Sequence, residues 1–217
     1  DDMWLYCRMA AADIPLYKRL VEDAKKEADF PVYFGFECEW SPQHRSWFKD
    51  ELIGRYGADY LVFGSHWFPL HGGLAAVTER RLLRTYIDFT IEGMKSGVYA
   101  FLAHPDLFLS SIRSIDADCL ACIDALIDAA NDLGMPLEIN GYGLIKSKVR
   151  RDYGADYQYP VAAFWKRAAQ KNARIICNAD AHQIEQVLAG VQNGIEYAED
   201  LGIPIIDAAE ALGFAHK

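Results

Sequence analysis

Three of the six histidines in this chain stand where short apolar runs end, and carboxylates end others. The pattern reads Phe34-Gly35-Phe36-Glu37, then Phe63-Gly64-Ser65-His66, then Phe101-Leu102-Ala103-His104-Pro105-Asp106. Leu137-Glu138-Ile139-Asn140 follows, and Ile176-Cys177-Asn178-Ala179-Asp180-Ala181-His182 closes the series. Imidazole and carboxylate together suit Zn, Mn or Fe, and a carboxylate can bridge two ions. A cluster of two or three such divalent ions would acidify a water and offset charge on a transferring phosphoryl group. The candidate metal ligands are therefore Glu37, His66, His104, Asp180 and His182.

Each candidate has a plainer alternative. Taken alone, His66 reads more readily as a loop histidine beside an aromatic. Asp106 reads as a helix cap or as the acid that protonates a leaving group. Asp180-Ala181-His182 reads as an N-cap and first helical turn. Glu37 and Glu39 lie two apart at a strand end, with one expected to face the site and the other to face away. Glu37 is preferred because it directly follows the apolar run. Lys146, Lys148, Arg150 and Arg151 follow Asn140 and could hold phosphate oxygens, or form a solvated charge run. Trp67 and Phe68 could wall the pocket. His44, His71 and His216 read as surface or terminal residues. Cys119-x-x-Cys122 has the spacing of a redox or zinc motif but falls inside an amphipathic helical pattern without a second cysteine pair, which favours a core role. Neither a phosphate-binding glycine loop nor a Gly-x-Ser-x-Gly elbow occurs.

To bring residues so far apart together, the elements must alternate. Strands are expected at Val32–Phe36, Tyr60–Phe63, Val98–Ala103, Leu137–Ile139 and Arg174–Cys177, with a sixth at Ile203–Ile206. Helices are expected at Ile14–Ala28 with Asp13 as N-cap, Glu79–Ser96, Asp116–Leu133 stopped by Gly134, Val161–Asn172 and Ile184–Leu201. Strand–helix alternation predicts an α/β fold, either an open doubly wound sheet or a barrel, with the carboxyl ends of the strands converging on one site.

The 217 residues are 52% hydrophobic, enough for one domain spanning 1–217. A net charge of −9 argues against a basic nucleic-acid-binding face. No apolar run is long enough to cross a bilayer. Five cysteines, an odd count, fit reduced thiols in a cytoplasmic protein. The opening Asp1-Asp2-Met3 is not an initiator context, so further N-terminal sequence is expected.

The ordered set Gly-x-Glu, Gly-Ser-x-His, Ala-His-Pro-Asp, Glu-Ile-Asn, Tyr-Pro and Asn-Ala-Asp-Ala-His resembles the polymerase and histidinol phosphatase (PHP) superfamily, nearest its histidinol-phosphatase branch. The resemblance spans Val32 to the C-terminus. It implies a distorted (β/α)7 barrel and two or three divalent ions. It implies hydrolysis of a small phosphate monoester, foremost L-histidinol phosphate to L-histidinol in histidine biosynthesis. Glu39 or Glu138 near the pocket mouth would tolerate the cationic part of such a substrate. Another phosphorylated substrate, or an inactive PHP-like module, is the alternative. By resemblance Glu37 bridges metals, His66 is the ligand of the Gly-Ser-x-His motif, His104 that of His-Pro-Asp, and Asp180 and His182 form the last ligand pair. Asn140 matches a family asparagine, placing it with Asp106 as a catalytic candidate. The family's opening His-x-His is missing here, so either about two N-terminal strands lie outside this chain, the preferred expectation, or the chain is a degenerate member. The sequence leaves the oligomeric state open.

Overall fold

The computed structural model describes residues 8–68, 72, 73, 77 and 79–214. Its strands are β1 (Gly35–Cys38), β2 (Tyr60–Gly64), β3 (Trp67–Phe68), β4 (Gly72–Gly73), β5 (Phe101–Ala103), β6 (Leu137–Asn140), β7 (Val149–Arg151), β8 (Gly154–Asp156) and β9 (Ile175–Asn178). The helices are α1 (Ile14–Glu27), α2 (Arg45–Trp47), α3 (Arg80–Lys95), α4 (Ala117–Leu133), α5 (Gly141–Ile145), α6 (Ala162–Gln170), α7 (Gln186–Asp200) and α8 (Ala208–Ala211). Helix α2 runs on into a π-helical stretch, Phe48–Arg55.

Five strands form one parallel sheet in the order β1-β2-β5-β6-β9. Strands β1 and β9 are its edges among the described residues. Two antiparallel hairpins, β3–β4 and β7–β8, stand apart from it.

The period of two along each strand divides the sheet into two faces. Leu61, Phe63, Leu102, Leu137, Ile139, Ile175 and Cys177 lie on one face. They join one core with Leu83 and Ile87 of α3, Ile123 and Ile127 of α4, Phe164 of α6 and Ala198 of α7. Burying each large apolar side chain contributes about 1.5–3 kcal/mol. The other face carries Val62, Phe101, Ala103 and Ile176 in a small cluster under Ala208, Ala211 and Leu212. It opens into a cavity of about 380 Å³ lined in part by Glu37, Glu138, Asn178 and Asp180. The long helices α3, α4, α6 and α7 thus share one side, and the polar residues occupy the other.

Helix α4 starts and stops as its sequence dictates: Asp116 accepts from the Cys119 amide, and Gly134 takes the left-handed φ of 62°. Four expectations need correction. The first strand is displaced toward the C-terminus, so Glu37 lies within β1 and not after it. The segment Ile203–Ile206 is not a strand: Pro204 has no N–H to donate, and Ile206 makes one bond to the Ile175 carbonyl. Asp13 is itself helical and makes no side-chain cap. The segment after Asn140 that carries Lys146, Lys148, Arg150 and Arg151, expected as a loop, contains α5 and the β7–β8 hairpin.

Candidate metal centre

Adjacent parallel strands deliver three donors to one point. Glu37 projects from β1 on the inner face, His66 follows β2, and His104 follows β5. Glu37 Oε1 lies 3.2 Å from His104 Nε2 and 3.6 Å from His66 Nε2. Donor atoms of the three residues all fall within 4.8 Å of one another. Two ligands held about 2.0–2.2 Å from a tetrahedral ion stand about 3.3–3.6 Å apart, so this donor set fits a first-row divalent metal.

The backbone is shaped around that group. Gly64 ends β2 beside Glu37, and a Cβ there would fall 2.0 Å from Glu37 Oε1 and 2.6 Å from His66 Cε1. Only glycine leaves room for both side chains. His104 adopts φ 31°, a left-handed conformation that is strained for a residue with a Cβ. Its amide is held by Glu138 Oε2 at 3.1 Å.

The electrostatics call for positive charge. Burial raises the Glu37 carboxyl, but the His104 hydrogen bond and the charges of His104, His66 and Arg8 prevail and hold it at about 2. Burial lowers His104, yet the hydrogen bond and charge of Glu37, with the charges of Glu138 and Asp180, leave it raised. A metal cation answers the same demand as a proton here.

Glu138 is the residue of the polar network that the sequence underrates. It reads there as a residue of the pocket mouth; in the fold it is 3% exposed and central. Besides the His104 amide it accepts from Asn140 Nδ2 at 3.0 Å and Asn178 Nδ2 at 2.9 Å. The available signal is a carboxylate between two apolar residues of a buried strand, which needs partners to persist there.

Asp180 lines the same cavity, at φ 48°, and accepts from Asn140 Nδ2 at 3.0 Å. Asn140 also caps α5, its Oδ1 accepting from the Gly143 amide at 3.1 Å. Its polar atoms are thus engaged by the protein. His182 stands apart from the three-donor group: its side chain is 56% exposed, Nδ1 faces the Asp180 carbonyl at 2.9 Å, and the ring stacks on Tyr142 at 4.1 Å. His66 directly follows Ser65, one residue nearer than a Gly-Ser-x-His spacing provides.

Glu37 and Glu39 do not diverge. Residues two apart share a strand face, and both carboxylates contact His66. Asp106 is buried and accepts from the Val161 amide at 2.5 Å and Trp165 Nε1 at 3.0 Å. It makes no side-chain cap to the helical turn after it. Burial pushes its carboxyl up to about 7 despite these bonds.

The basic residues separate. Lys146 Nζ donates to Tyr159 Oη at 2.6 Å and lies over the rings of Tyr142 and Tyr159. The Tyr159 ring is 5.9 Å from that of His104, which ties Lys146 to the donor group. Lys148 sits over Tyr157, and Arg150 is exposed on β7. Arg151 is buried and donates to the carbonyls of Leu109, Ile112, Tyr157 and Gln158, so it braces loops and cannot reach substrate. Trp67 is half-buried, and its amide donates to Glu39 Oε2 at 3.2 Å. His71, His216 and the Phe68 side chain lie outside the described residues. His44 bonds Ser41 Oγ at the surface. Cys119 and Cys122 are buried free thiols.

No family model matches the chain. Over 205 residues it is 24% identical to the probable histidinol-phosphatase of Deinococcus radiodurans, covering 90% of this chain and 75% of that protein. The crystal structure of a histidinol phosphate phosphatase from Lactococcus lactis, complexed with zinc, L-histidinol and phosphate, superposes with a TM-score of 0.64. The match covers 89% of this chain and 76% of that one at 13% identity, a likeness of fold.

Proposed function

We propose that this chain, similar in sequence and in fold to histidinol-phosphatases, is a metal-dependent phosphatase that hydrolyses L-histidinol phosphate, a step of histidine biosynthesis. The observation that carries the reading is the convergence of Glu37, His66 and His104 at ligand spacing on the inner sheet face.

Zinc is the first candidate ion, and a bound divalent cation would supply Lewis acidity toward water and a phosphoryl group. Glu37, His66 and His104 would hold it. Asp180, with His182, offers donors for a further ion after a rotation of the exposed His182 ring. Asn140 orients Asp180. Lys146 is placed to bind a phosphate oxygen, since its ammonium lies over two tyrosine rings, one of them beside His104. Tyr142 and the half-buried Trp67 are candidates to pack on the organic part of the ester. Buried Asp106 holds the Val161–Trp165 turn and with it the Tyr159 ring; we assign it this positioning role over proton donation.

The finer fold reading is one domain built as an arc of a distorted (β/α)7 barrel. It is supported by parallel strands whose long helices all pack on one face, where a doubly wound sheet would divide them between two.

Phosphate release from L-histidinol phosphate by zinc-loaded protein tests the reading. Activity is expected to vanish on chelation and return with zinc. His104→Asn, chosen because asparagine tolerates the left-handed backbone, is expected to lower zinc affinity and kcat/KM by at least about 100-fold. Full activity after complete chelation would overturn the assignment.

A further inference from the structure

We infer that Glu39 is a positioning residue that fixes the tautomer and orientation of His66, leaving Nε2 bare for a metal ion. The inference rests on the metal-centre reading above and concerns a residue outside the three-donor group.

Three nitrogens of the His66–Trp67 segment, two of them backbone amides, end on this one carboxylate. Oε1 lies 2.8 Å from His66 Nδ1, and Oε2 accepts from the His66 amide at 3.0 Å and the Trp67 amide at 3.2 Å. Arg8 also donates to Oε1. The Glu39 side chain is only 15% exposed, so these bonds face little competition from water.

The two neutral tautomers of His66 are not equivalent in this setting. With the proton on Nδ1, the ring donates to a carboxylate at 2.8 Å, and its Nε2 lone pair faces the space beside Glu37 Oε1, 3.6 Å away. With the proton on Nε2, the Nδ1 lone pair would press against Glu39 Oε1 at 2.8 Å, closer than Arg8 Nη2 at 3.2 Å, the donor that would relieve it. The Nε2–H would then point across 3.6 Å, too far for a hydrogen bond to Glu37. The first arrangement satisfies Nδ1 and leaves two facing acceptors, Nε2 and Glu37 Oε1, between which a cation is favoured. A carboxylate behind a metal-bound histidine has this effect generally, and its loss costs about 10–100-fold in metal affinity.

Two measurements test it. Long-range proton–nitrogen correlation on the metal-free protein at alkaline pH is expected to show His66 protonated at Nδ1. This needs no variant, so it stands whether or not a variant folds. Competition titration with zinc is expected to show Glu39→Gln binding about 10–100-fold more weakly than the unaltered chain. Glutamine offers one oxygen where the carboxylate offers two, and its amide hydrogens would face donors. An Nε2–H tautomer, or unchanged zinc affinity in folded Glu39→Gln, overturns the inference and leaves the metal centre standing. Absence of zinc binding by the unaltered chain overturns the centre and this inference with it.

Discussion

Single atoms decide whether the donor group exists. Gly64 shows this most directly, because a methyl group at its Cα would stand 2.0 Å from Glu37 Oε1, far inside van der Waals contact. Gly64→Ala must therefore expel the Glu37 carboxylate or part β1 from β2. Denaturant titration is expected to show a loss of about 1–3 kcal/mol, and isothermal titration the loss of most zinc affinity in the protein that remains folded. Zinc binding at the unaltered strength would mean that Glu37 is not a ligand. At this scale the sequence is informative about residue type and poor about direction. Histidine and carboxylate at the ends of apolar runs mark the right strands. Whether His182 turns toward Asp180 or lies on Tyr142 depends on the ring packing of α5 against the loop before α7, and no local pattern encodes it.

Helices and hairpins place these atoms, and two of them carry residues whose type invites a functional reading. Arg151, on β7, ties the carbonyls of Leu109 and Ile112 to those of Tyr157 and Gln158. Arg151→Ala leaves those acceptors without their donor and strands the Asp156 carboxylate, 3.3 Å from Arg151 Nε, so a loss of about 3–5 kcal/mol is expected from urea unfolding. Zinc affinity of the folded fraction is expected to stay within a few-fold, whereas a phosphate-binding role would show chiefly as a raised KM at unchanged stability. Helix α4 buries Cys119 and Cys122 completely or nearly so. Burial pushes the Cys122 thiol up to about 11, with the charge of Cys119 adding to it. The folded chain then holds this proton at pH values where the unfolded chain has released it. The associated stability is present below the ordinary thiol range and is lost as pH rises through about 11. Alkylation of Cys122 at pH 8 is expected to be slow in native protein and fast in urea. Rapid labelling of the native protein, or zinc binding that disappears in folded Cys119→Ser, would revive the paired-cysteine reading.

Over the whole molecule, the polar inner face is held open by a one-sided helical core. Such a face is poorly stabilised by apolar burial, since Glu37, Glu138, Asn178 and Asp180 line its cavity. Metal binding to the native state alone is therefore expected to raise the melting temperature in a concentration-dependent way, adding about 2.7 kcal/mol when free zinc reaches about 100 times its dissociation constant. A melting curve indifferent to zinc and to chelator would count against a centre on this face. Among the described residues no helix is long and apolar enough to cross a membrane. By itself the sequence determined the α/β alternation, the extents of α3 and α4 to within a residue, and the residue types at the strand ends, because periodicity and capping are local properties. Tertiary structure alone decided that all the long helices share one face, that Glu138 sits at the centre of the polar network, that Arg151 is structural and that Glu39 stands behind His66. Those outcomes depend on which strands become neighbours and on what each buried polar atom finds to bond, and both are settled only when the sheet is assembled.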